Sequence, residues 1–187
     1  KAVAEQENVS CYRAGGKRGE PLCLELVEDM GDISLKSTDS NYYLLDKSGI
    51  LQDGRDFVVS MDVRYETHGR ASLFTILCRY TEKGDFAYNG GLIFIEKDGR
   101  LSTVNDGDPA YYKDVYFSAE GYDTVTVKGN LGSGLYDVYL NEQLVRKDVN
   151  YVSASSPVDF VCLRYFDVQN EGTYTGYVDN LKLYRAS

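Results

Sequence analysis

Three arginines and one aspartate are the residues of this sequence best placed to bind a polar ligand. Arg64, Arg79 and Arg164 each occupy the polar phase of a segment whose alternate residues are apolar, and Asp62 shares the phase of Arg64. Guanidinium groups make paired hydrogen bonds with carboxylates, so several of them suit an anionic sugar such as a sialic or uronic acid. We therefore predict a ligand site if the three segments pair in one sheet. The alternative is a set of surface salt bridges, which contribute little stability.

A loop rich in oxygen atoms and aromatic rings is a second candidate ligand site. It contains, in order, Asn105, Asp106, Asp108, Tyr111 and Tyr112. Loops on rigid β scaffolds often carry recognition, and a tyrosine offers an apolar ring to sugar C–H groups together with a hydrogen-bonding hydroxyl. Ordinary turn chemistry, with the two rings folded onto a sheet edge, is the alternative.

Tyrosine is the dominant aromatic residue, with 17 Tyr and 7 Phe against no Trp. The absence of Trp argues against binding to flat crystalline polysaccharides, whereas a tyrosine can still stack on a single sugar. Tyr139 is out of phase with the apolar residues on either side of it. We therefore predict that its ring is exposed and available to a ligand.

The segments that must position these residues alternate apolar and polar side chains with the period of a β-strand. The alternation is clearest in residues 57–65, and comparable patterns occupy residues 72–80, 91–96, 122–128, 135–140, 143–145, 158–166 and 176–184. Turn signals such as Asp98-Gly99 separate them. We predict an all-β, two-sheet antiparallel β-sandwich, one domain over residues 1–187 in which residues 1–20 are irregular. A short helix over residues 25–30 is the one helical alternative.

The overall charge excludes two classes of partner. The net charge is −9, and no cluster of Lys and Arg occurs. Binding to phosphate groups needs such clusters, so we expect neither nucleic acid nor an anionic membrane surface as a partner. No run of about 18 apolar residues occurs either, so no membrane span is predicted.

Three segments resemble parts of concanavalin-like and laminin-G-like jelly rolls. YDVYLNEQLVRKDV (residues 136–149) resembles a hairpin of that group, and GYVDNLKLY (residues 176–184) resembles its C-terminal strand. SNYYLLDKSG followed by FVVSMDVRY resembles its opening strands, so that the matches follow the family order over about residues 40–184. Glu142 stands where the family usually has Gly, which implies a different turn geometry at that hairpin.

The resemblance implies a concanavalin A-like jelly roll, a fold shared by lectins, carbohydrate-binding modules, adhesins and some glycan-cleaving enzymes. It also implies that Asp179 and Asn180 lie near a position that holds a structural calcium ion in many related jelly rolls. Asp179 shares the phase of Leu181 and Leu183, so we expect its carboxylate to be buried. A buried carboxylate needs a partner, which could be calcium, an arginine or backbone N–H groups.

The residues that glycan-cleaving enzymes of this fold use are missing from the sequence. Hydrolysis needs two carboxyl groups across one sugar bond, and the E-x-D-x-x-E pattern of the glucanases does not occur. The lyases use Tyr with His, Arg and Gln, whereas the single histidine here, His68, stands in a predicted turn. No C-x-x-C zinc pattern occurs. We therefore expect no catalytic residues.

These observations favour a non-catalytic carbohydrate-binding module of a larger, secreted or cell-surface, glycan-active protein. Its partner would be a glycan or polysaccharide, with calcium as the one expected cofactor. In a secreted chain Cys11 and Cys23 could form a disulfide, although four cysteines allow three pairings. The alternatives are a laminin-G-type module that binds a protein partner and a divergent polysaccharide lyase or glycoside hydrolase.

Overall fold

The computed structural model describes residues 9–13, 25–30, 32–37, 41–46, 56–65, 71–80, 86–130, 133–150, 160–166 and 176–185. Side chains are described mainly for residues 56–65, 93–130, 133–150 and 176–180. These segments form one short 3-10 helix, Pro109–Tyr111, and thirteen strands. The strands are β1 (Val9–Arg13), β2 (Glu25–Asp29), β3 (Asp32–Ser37), β4 (Asn41–Asp46), β5 (Asp56–Tyr65), β6 (Ala71–Tyr80), β7 (Phe86–Ile95), β8 (Leu101–Thr103), β9 (Asp123–Asn130), β10 (Leu135–Leu140), β11 (Gln143–Asn150), β12 (Phe160–Phe166) and β13 (Gly176–Arg185).

The strands form two antiparallel sheets. The six-stranded sheet has the order β1-β4-β12-β6-β7-β8, and the seven-stranded sheet has the order β11-β10-β9-β5-β13-β3-β2. Strands that are neighbours in each sheet are often distant in sequence, as β13 beside β5 illustrates. The predicted two-sheet antiparallel β-sandwich is therefore confirmed. Within the part of the chain that the structure describes, no helix is long and apolar enough to cross a membrane.

The core includes the inner face of the seven-stranded sheet, which follows the predicted alternation, and residues of β7 from the six-stranded sheet. Along β5, Phe57, Val59, Met61 and Val63 are buried, while on the other phase Val58 is buried and Ser60, Asp62 and Arg64 are partly exposed. Further buried apolar residues come from β9, β10 and β7: Val125, Val127, Tyr136, Val138, Leu140, Ile93 and Ile95. Each fully buried aliphatic side chain stabilises the fold by roughly 1.5–3 kcal/mol, so this inner face fixes which residues point outward.

In the N-terminal part of the chain the helical alternative is wrong, and the expected irregularity of residues 1–20 does not hold for Val9–Arg13. Residues 25–29 form strand β2, not a helix, because β3 supplies antiparallel hydrogen bonds along their whole length. Tertiary pairing of this kind overrides a weak helical preference. Within the segment expected to be irregular, Val9–Arg13 forms β1 and pairs with β4. Cys23 and His68 lie outside the described residues, so the disulfide with Cys11 and the predicted turn at His68 remain predictions.

The hairpin between β10 and β11 has a two-residue turn made by Asn141 and Glu142. Their φ angles are 49° and 66°, and positive φ at both central residues is the signature of a type I′ turn. The Asn141 side chain accepts a hydrogen bond from the Thr124 backbone N–H at 2.9 Å and donates one to the buried Asp123 carboxylate at 2.7 Å. Glu142 thus occupies the left-handed conformation that glycine favours, and the different turn geometry expected from this departure is not found.

The substitution Glu142→Gly should therefore stabilise the protein. An L-residue in the left-handed region is strained, and relieving that strain outweighs the extra freedom of glycine in the unfolded chain by about 0.5–1 kcal/mol. Urea unfolding would measure the gain in the free energy of unfolding, provided that this free energy depends on urea concentration with the same slope in both proteins. Gln143→Gly, one residue further at a paired strand position, is the matched control and should lose about 0.5–1 kcal/mol. A Glu142→Gly protein less stable than the parent would contradict the assigned turn.

Candidate functional site

The three predicted arginines do not share a sheet. Arg64 belongs to β5 of the seven-stranded sheet, whereas Arg79 and Arg164 belong to β6 and β12, which are neighbours in the six-stranded sheet. Consecutive strands β5 and β6 thus enter opposite layers of the sandwich. The predicted cluster of three guanidiniums is therefore wrong as a single site. Arg79 and Arg164 are described by strand position alone, and a ligand role for them stays a prediction.

The outer face of the seven-stranded sheet collects most of the remaining predicted residues. We call it the polar face. Its described residues, read from the cross-strand registers, are Asp56, Val58, Ser60, Asp62 and Arg64 of β5, Thr124, Thr126, Lys128 and Asn130 of β9, Leu135, Asp137 and Tyr139 of β10, and Tyr177, Asp179 and Lys182 of β13. The structure thus brings the predicted ligand residues Asp62 and Arg64 beside the predicted metal residues Asp179 and Asn180.

Asp62 is the centre of a hydrogen-bond network that joins three strands. One of its carboxylate oxygens accepts from the Thr124 hydroxyl at 2.5 Å, and the other accepts from the Asn180 side-chain amide at 2.6 Å. One row along, the Ser60 and Thr126 hydroxyls lie 2.8 Å apart. Because these bonds cross from β9 through β5 to β13, they hold polar groups at fixed positions on the outer face.

Arg64 lies beside this network and stacks on an aromatic ring. Its guanidinium carbon is 4.1 Å from the ring centroid of Tyr177, the residue opposite it on β13. A guanidinium over an aromatic face is held by a cation–π interaction of about 0.5–1 kcal/mol or more. Tyr177 and Asp179 point to the outer face and yet are only 8% and 6% exposed. The centre of the polar face is therefore a packed surface on which Arg64 has a defined position.

Asp179 does not follow the phase predicted for it. It lies opposite Asp62, whereas Lys182 lies opposite Ser60, so β13 contains one extra residue between these positions. Asn180, with φ of 49°, is part of this bulge and puts Asp179 on the outer face. Leu183 is paired with inward-facing Val59, so the expected common phase of Asp179 and Leu183 is wrong.

The burial predicted for the Asp179 carboxylate is confirmed, and one of its three alternative partners is seen. The Asn180 backbone N–H donates to it at 2.7 Å. Calcium is bound by six to eight oxygen ligands, which include backbone and amide carbonyls as well as carboxylates. No group of three or more His, Cys, Asp or Glu side chains in the described segments is arranged to hold a metal ion. A calcium ion near Asp179 and Asn180 stays a prediction.

Tyr139 occupies the outer face as predicted. It lies opposite Thr126, and the Lys128 ammonium is 4.5 Å from its ring centroid. Its neighbours Val138 and Leu140 are buried on the other side of the sheet. Tyr139 thus extends the polar face towards β10 with an aromatic surface that is only partly covered.

The predicted loop lies at the β11 edge of the same sheet and is held there by its own polar groups. The Asn105 side-chain amide donates to the Asn150 carbonyl at 2.6 Å, and the Asp108 backbone N–H donates to the Lys147 carbonyl at 2.8 Å. The Asp108 carboxylate accepts from the Ala110 N–H, while Asp106 is exposed. With β strands about 4.8 Å apart, β5 and β11 are separated by about 14 Å. The loop and the Asp62–Arg64 network are therefore two separate sites.

Both tyrosines of the loop cover basic residues of β11. Tyr111 and Tyr112 are each 37% exposed, with the Lys147 ammonium 5.0 Å from the first ring centroid and the Arg146 guanidinium 4.1 Å from the second. The alternative interpretation, with rings folded onto a sheet edge, accounts for these contacts. A ligand role for the loop stays a prediction.

Arg146 is the buried residue on which this arrangement depends, and no pattern in the sequence distinguishes it from an exposed arginine. It is 1% exposed and donates hydrogen bonds to the carbonyls of Lys113, Val145 and Leu101. Burial lowers the pKa of its guanidinium, and Tyr112 is the largest influence in the opposite direction. Its Nε is buried without a partner. Irregular register between β10 and β11 brings Arg146 opposite buried Val138.

Removing Arg146 should release the loop. Arg146→Ala leaves a cavity and carbonyls without donors, so we expect the free energy of unfolding to fall by about 2–4 kcal/mol. Trypsin cleavage after Lys113 should become faster under native conditions. Lys147→Met, which removes the contact with Tyr111 and keeps the backbone bonds, should leave both readouts almost unchanged. If trypsin cleaves the Arg146→Ala protein and the parent protein at the same rate, the loop is held by other contacts.

No family model matches the sequence, and no curated protein matches it. The chain is similar in fold to solved structures. Over 88% of its length it matches a Trypanosoma rangeli sialidase mutant displaying trans-sialidase activity, with 14% identity and a TM-score of 0.57. It matches the alginate lyase AlyC3 over 84% of its length, with 9% identity and a TM-score of 0.56. It matches the cellulose induced protein Cip1 over 94%, with 13% identity and a TM-score of 0.57.

The chain corresponds to very different shares of these proteins. It spans 27% of the sialidase chain, 77% of the lyase and 90% of Cip1. At such identities the similarity establishes the fold and leaves activity open, because one fold hosts many functions. The chain is a jelly-roll β-sandwich of the kind found in carbohydrate-active proteins, and the resemblance stated from its sequence is confirmed at that level.

Proposed function

We propose that the polar face binds a glycan without cleaving it. The observation that carries this proposal is the Asp62 network, in which a carboxylate, a hydroxyl and an amide are held in place beside the stacked Arg64. Sugars are bound by polar side chains whose positions are fixed before the ligand arrives, because ordering flexible groups costs affinity. The names of the solved structures with the same fold, two of which refer to glycan-cleaving enzymes, support the glycan as ligand and leave the absence of cleavage to be tested.

The composition of the polar face favours a sugar over a protein partner. Ser60, Thr124 and Thr126 place hydroxyl groups along its centre, and Tyr139 adds an aromatic ring that is less buried than the ring of Tyr177. The buried centres of protein interfaces are instead apolar and depleted in charge. A face made mainly of hydroxyl, amide and carboxylate groups matches the repeated hydroxyl groups of a glycan.

The charges of the polar face favour a neutral sugar. Its described side chains comprise four carboxylates, on Asp56, Asp62, Asp137 and Asp179, against three cations, on Arg64, Lys128 and Lys182. The prediction of an anionic sugar was based on three arginines in one sheet. Of these three, only Arg64 lies on the polar face, so that prediction now depends on Arg64 alone.

The proposal includes the absence of catalysis and a place in a longer, secreted protein. Both oxygens of Asp62 already accept hydrogen bonds from protein donors, which suits binding better than attack on a sugar carbon. The chain matches only about a quarter of the sialidase chain, which supports a domain role beside other domains. A secreted or cell-surface location stays a prediction.

A laminin-G-type module that binds a protein is the second candidate. One observation favours it: Val104, Tyr111, Tyr112 and Tyr116 are all exposed on and around the loop at the β11 edge. Exposed aromatic residues of this kind are enriched in protein interfaces. The loop and the polar face can therefore be separated by mutation.

An array of neutral and anionic glycans, probed with the intact chain, tests the proposed site. Arg64→Ala should lower affinity for the retained glycan at least about tenfold, because hydrogen bonds from a charged donor contribute about 1.5–3 kcal/mol. Arg100→Ala is the matched control, since Arg100 is a partly exposed arginine in ion pairs with Asp98 and Asp114, away from the polar face. Both variants should melt within a few degrees of the parent.

Two outcomes would contradict the proposal. If no glycan is retained, the polar face is not a sugar site. If Tyr111→Ala and Tyr112→Ala remove retention while Arg64→Ala does not, the binding site is the loop.

Prolonged incubation with the retained glycan should yield no product. Mass spectrometry would detect new reducing ends or unsaturated sugars, and we expect neither above the level of a heat-inactivated sample. Asp62 and Asp179 lie opposite each other and are the carboxylate pair that hydrolysis would use. Turnover that disappears in both Asp62→Asn and Asp179→Asn would replace binding with catalysis.

A further inference from the structure

A hollow opens on the polar face at the end of the β9–β10 hairpin. It has a volume of about 360 Å³, within the range of about 300–1,000 Å³ typical of small-molecule sites. It lies at the opposite end of β5 from Arg64, and none of the residues predicted from the sequence line it. The polar residues of its lining are Asp56, Lys128, Asn130, Ser133, Asp137 and Asp148.

The polar groups of the hollow are held in place by bonds to one another. The Asn130 side-chain amide donates to Asp56 at 2.6 Å, and the Asp148 backbone N–H donates to Asp137 at 2.9 Å. The Ser133 backbone N–H donates to the Asn130 side chain at 2.8 Å. Leu135, which is 37% exposed, adds an apolar patch. Carboxylate and amide acceptors, hydroxyl and ammonium donors and one apolar contact are the groups that a single sugar ring uses.

The hollow continues into the proposed sugar site. Lys128 lines the hollow and also lies over the ring of Tyr139, whose cross-strand partner is Thr126. Thr126 in turn contacts Ser60, the outward residue that precedes Asp62 on β5. At about 3.3 Å per residue, the path along β5 from Asp56 to Arg64 is about 26 Å long. Polar groups therefore follow one another along a distance that exceeds a single sugar.

We infer that the protein binds an extended neutral oligosaccharide, with one sugar unit in the hollow and the following units across Tyr139 towards Asp62 and Arg64. This inference rests on the proposed function and specifies its ligand. The hollow contains the carboxylates of Asp56, Asp137 and Asp148 against the ammonium of Lys128. Three carboxylates against one ammonium repel an anionic sugar. A neutral sugar, whose hydroxyl groups can bond to these carboxylates, is therefore favoured.

Calorimetry with oligosaccharides of increasing length tests the inference. The probes are β-1,4-linked oligomers of glucose, mannose and xylose, from disaccharide to octasaccharide, with alginate oligomers of the same lengths as the anionic comparison. Affinity for one neutral series should rise with length and then level off. Contacts made in the hollow are available only to the longer members, because the face is longer than a disaccharide.

Ser133→Arg places a bulky side chain at the hollow. It should lower the affinity for the hexasaccharide about tenfold, which is the effect of losing one set of hydrogen bonds. The affinity for the disaccharide should stay within about twofold of that of the parent protein. Ser118→Arg is the matched control, because each serine is exposed and its hydroxyl accepts from the backbone N–H two residues later. Ser118 lies in the 104–122 connection between β8 and β9 and is not among the residues that line the hollow. Melting temperatures of both variants confirm that they fold.

The outcomes separate this inference from the proposed function. If the disaccharide and hexasaccharide bind equally, or if Ser133→Arg behaves like Ser118→Arg while Arg64→Ala still abolishes binding, the hollow is not a subsite and the proposed site stands. If alginate oligomers bind better than the neutral ones, the ligand class is wrong. If the parent protein binds none of these oligomers, the inference fails, and retention on the glycan array decides the proposed function separately.

Discussion

The register of β5 between β9 and β13 determines what the seven-stranded sheet presents to solvent. Side chains alternate along a strand, so a shift by one residue would turn Asp62 into the core and Met61 outward. The register is selected from both sides. Met61 packs inward opposite Val125, while Asp62 accepts hydrogen bonds from Thr124 and from the side chain of Asn180. Core packing and the outer network therefore require the same alignment, and the polar face is a consequence of the core.

The sequence could predict what depends on neighbouring residues and not what depends on strand pairing. Alternation along residues 57–65 is local, so the outward position of Asp62 and Arg64 was predictable, as was that of Tyr139. Whether two strands share a sheet depends on contacts between distant segments. Arg64 and Arg79 are close in sequence and yet lie in different sheets, because the chain crosses from one layer to the other between β5 and β6. No local pattern reports that crossing.

Bulges are the second feature that local alternation cannot show. An extra residue reverses the phase of every residue after it without changing the composition of the segment. Regular alternation predicts that Asp179 and Leu183 lie on the same face of the sheet. The bulge at Asn180 places them on opposite faces. Similarly, the sequence pattern around Arg146 predicts an ordinary exposed basic residue of an alternating strand. In the structure, the irregular register of β10 and β11 turns its side chain inward. The unpredicted parts of both candidate sites are thus found where strands depart from regular pairing.

The partial exposure of the polar face limits the kind of ligand it can bind well. At its partly exposed positions, such as Ser60, Asp62 and Arg64, each hydrogen bond to a ligand replaces one to water, so its net contribution is only about 0.5–1.5 kcal/mol. Affinity must then come from many such contacts made at a low ordering cost. The network around Asp62 and the stacking of Arg64 on Tyr177 reduce that cost, because these groups are already fixed. The preorganised strand surface satisfies the second condition, and a long chain of hydroxyl-bearing units satisfies the first, because it makes more contacts along the face than a compact ligand can.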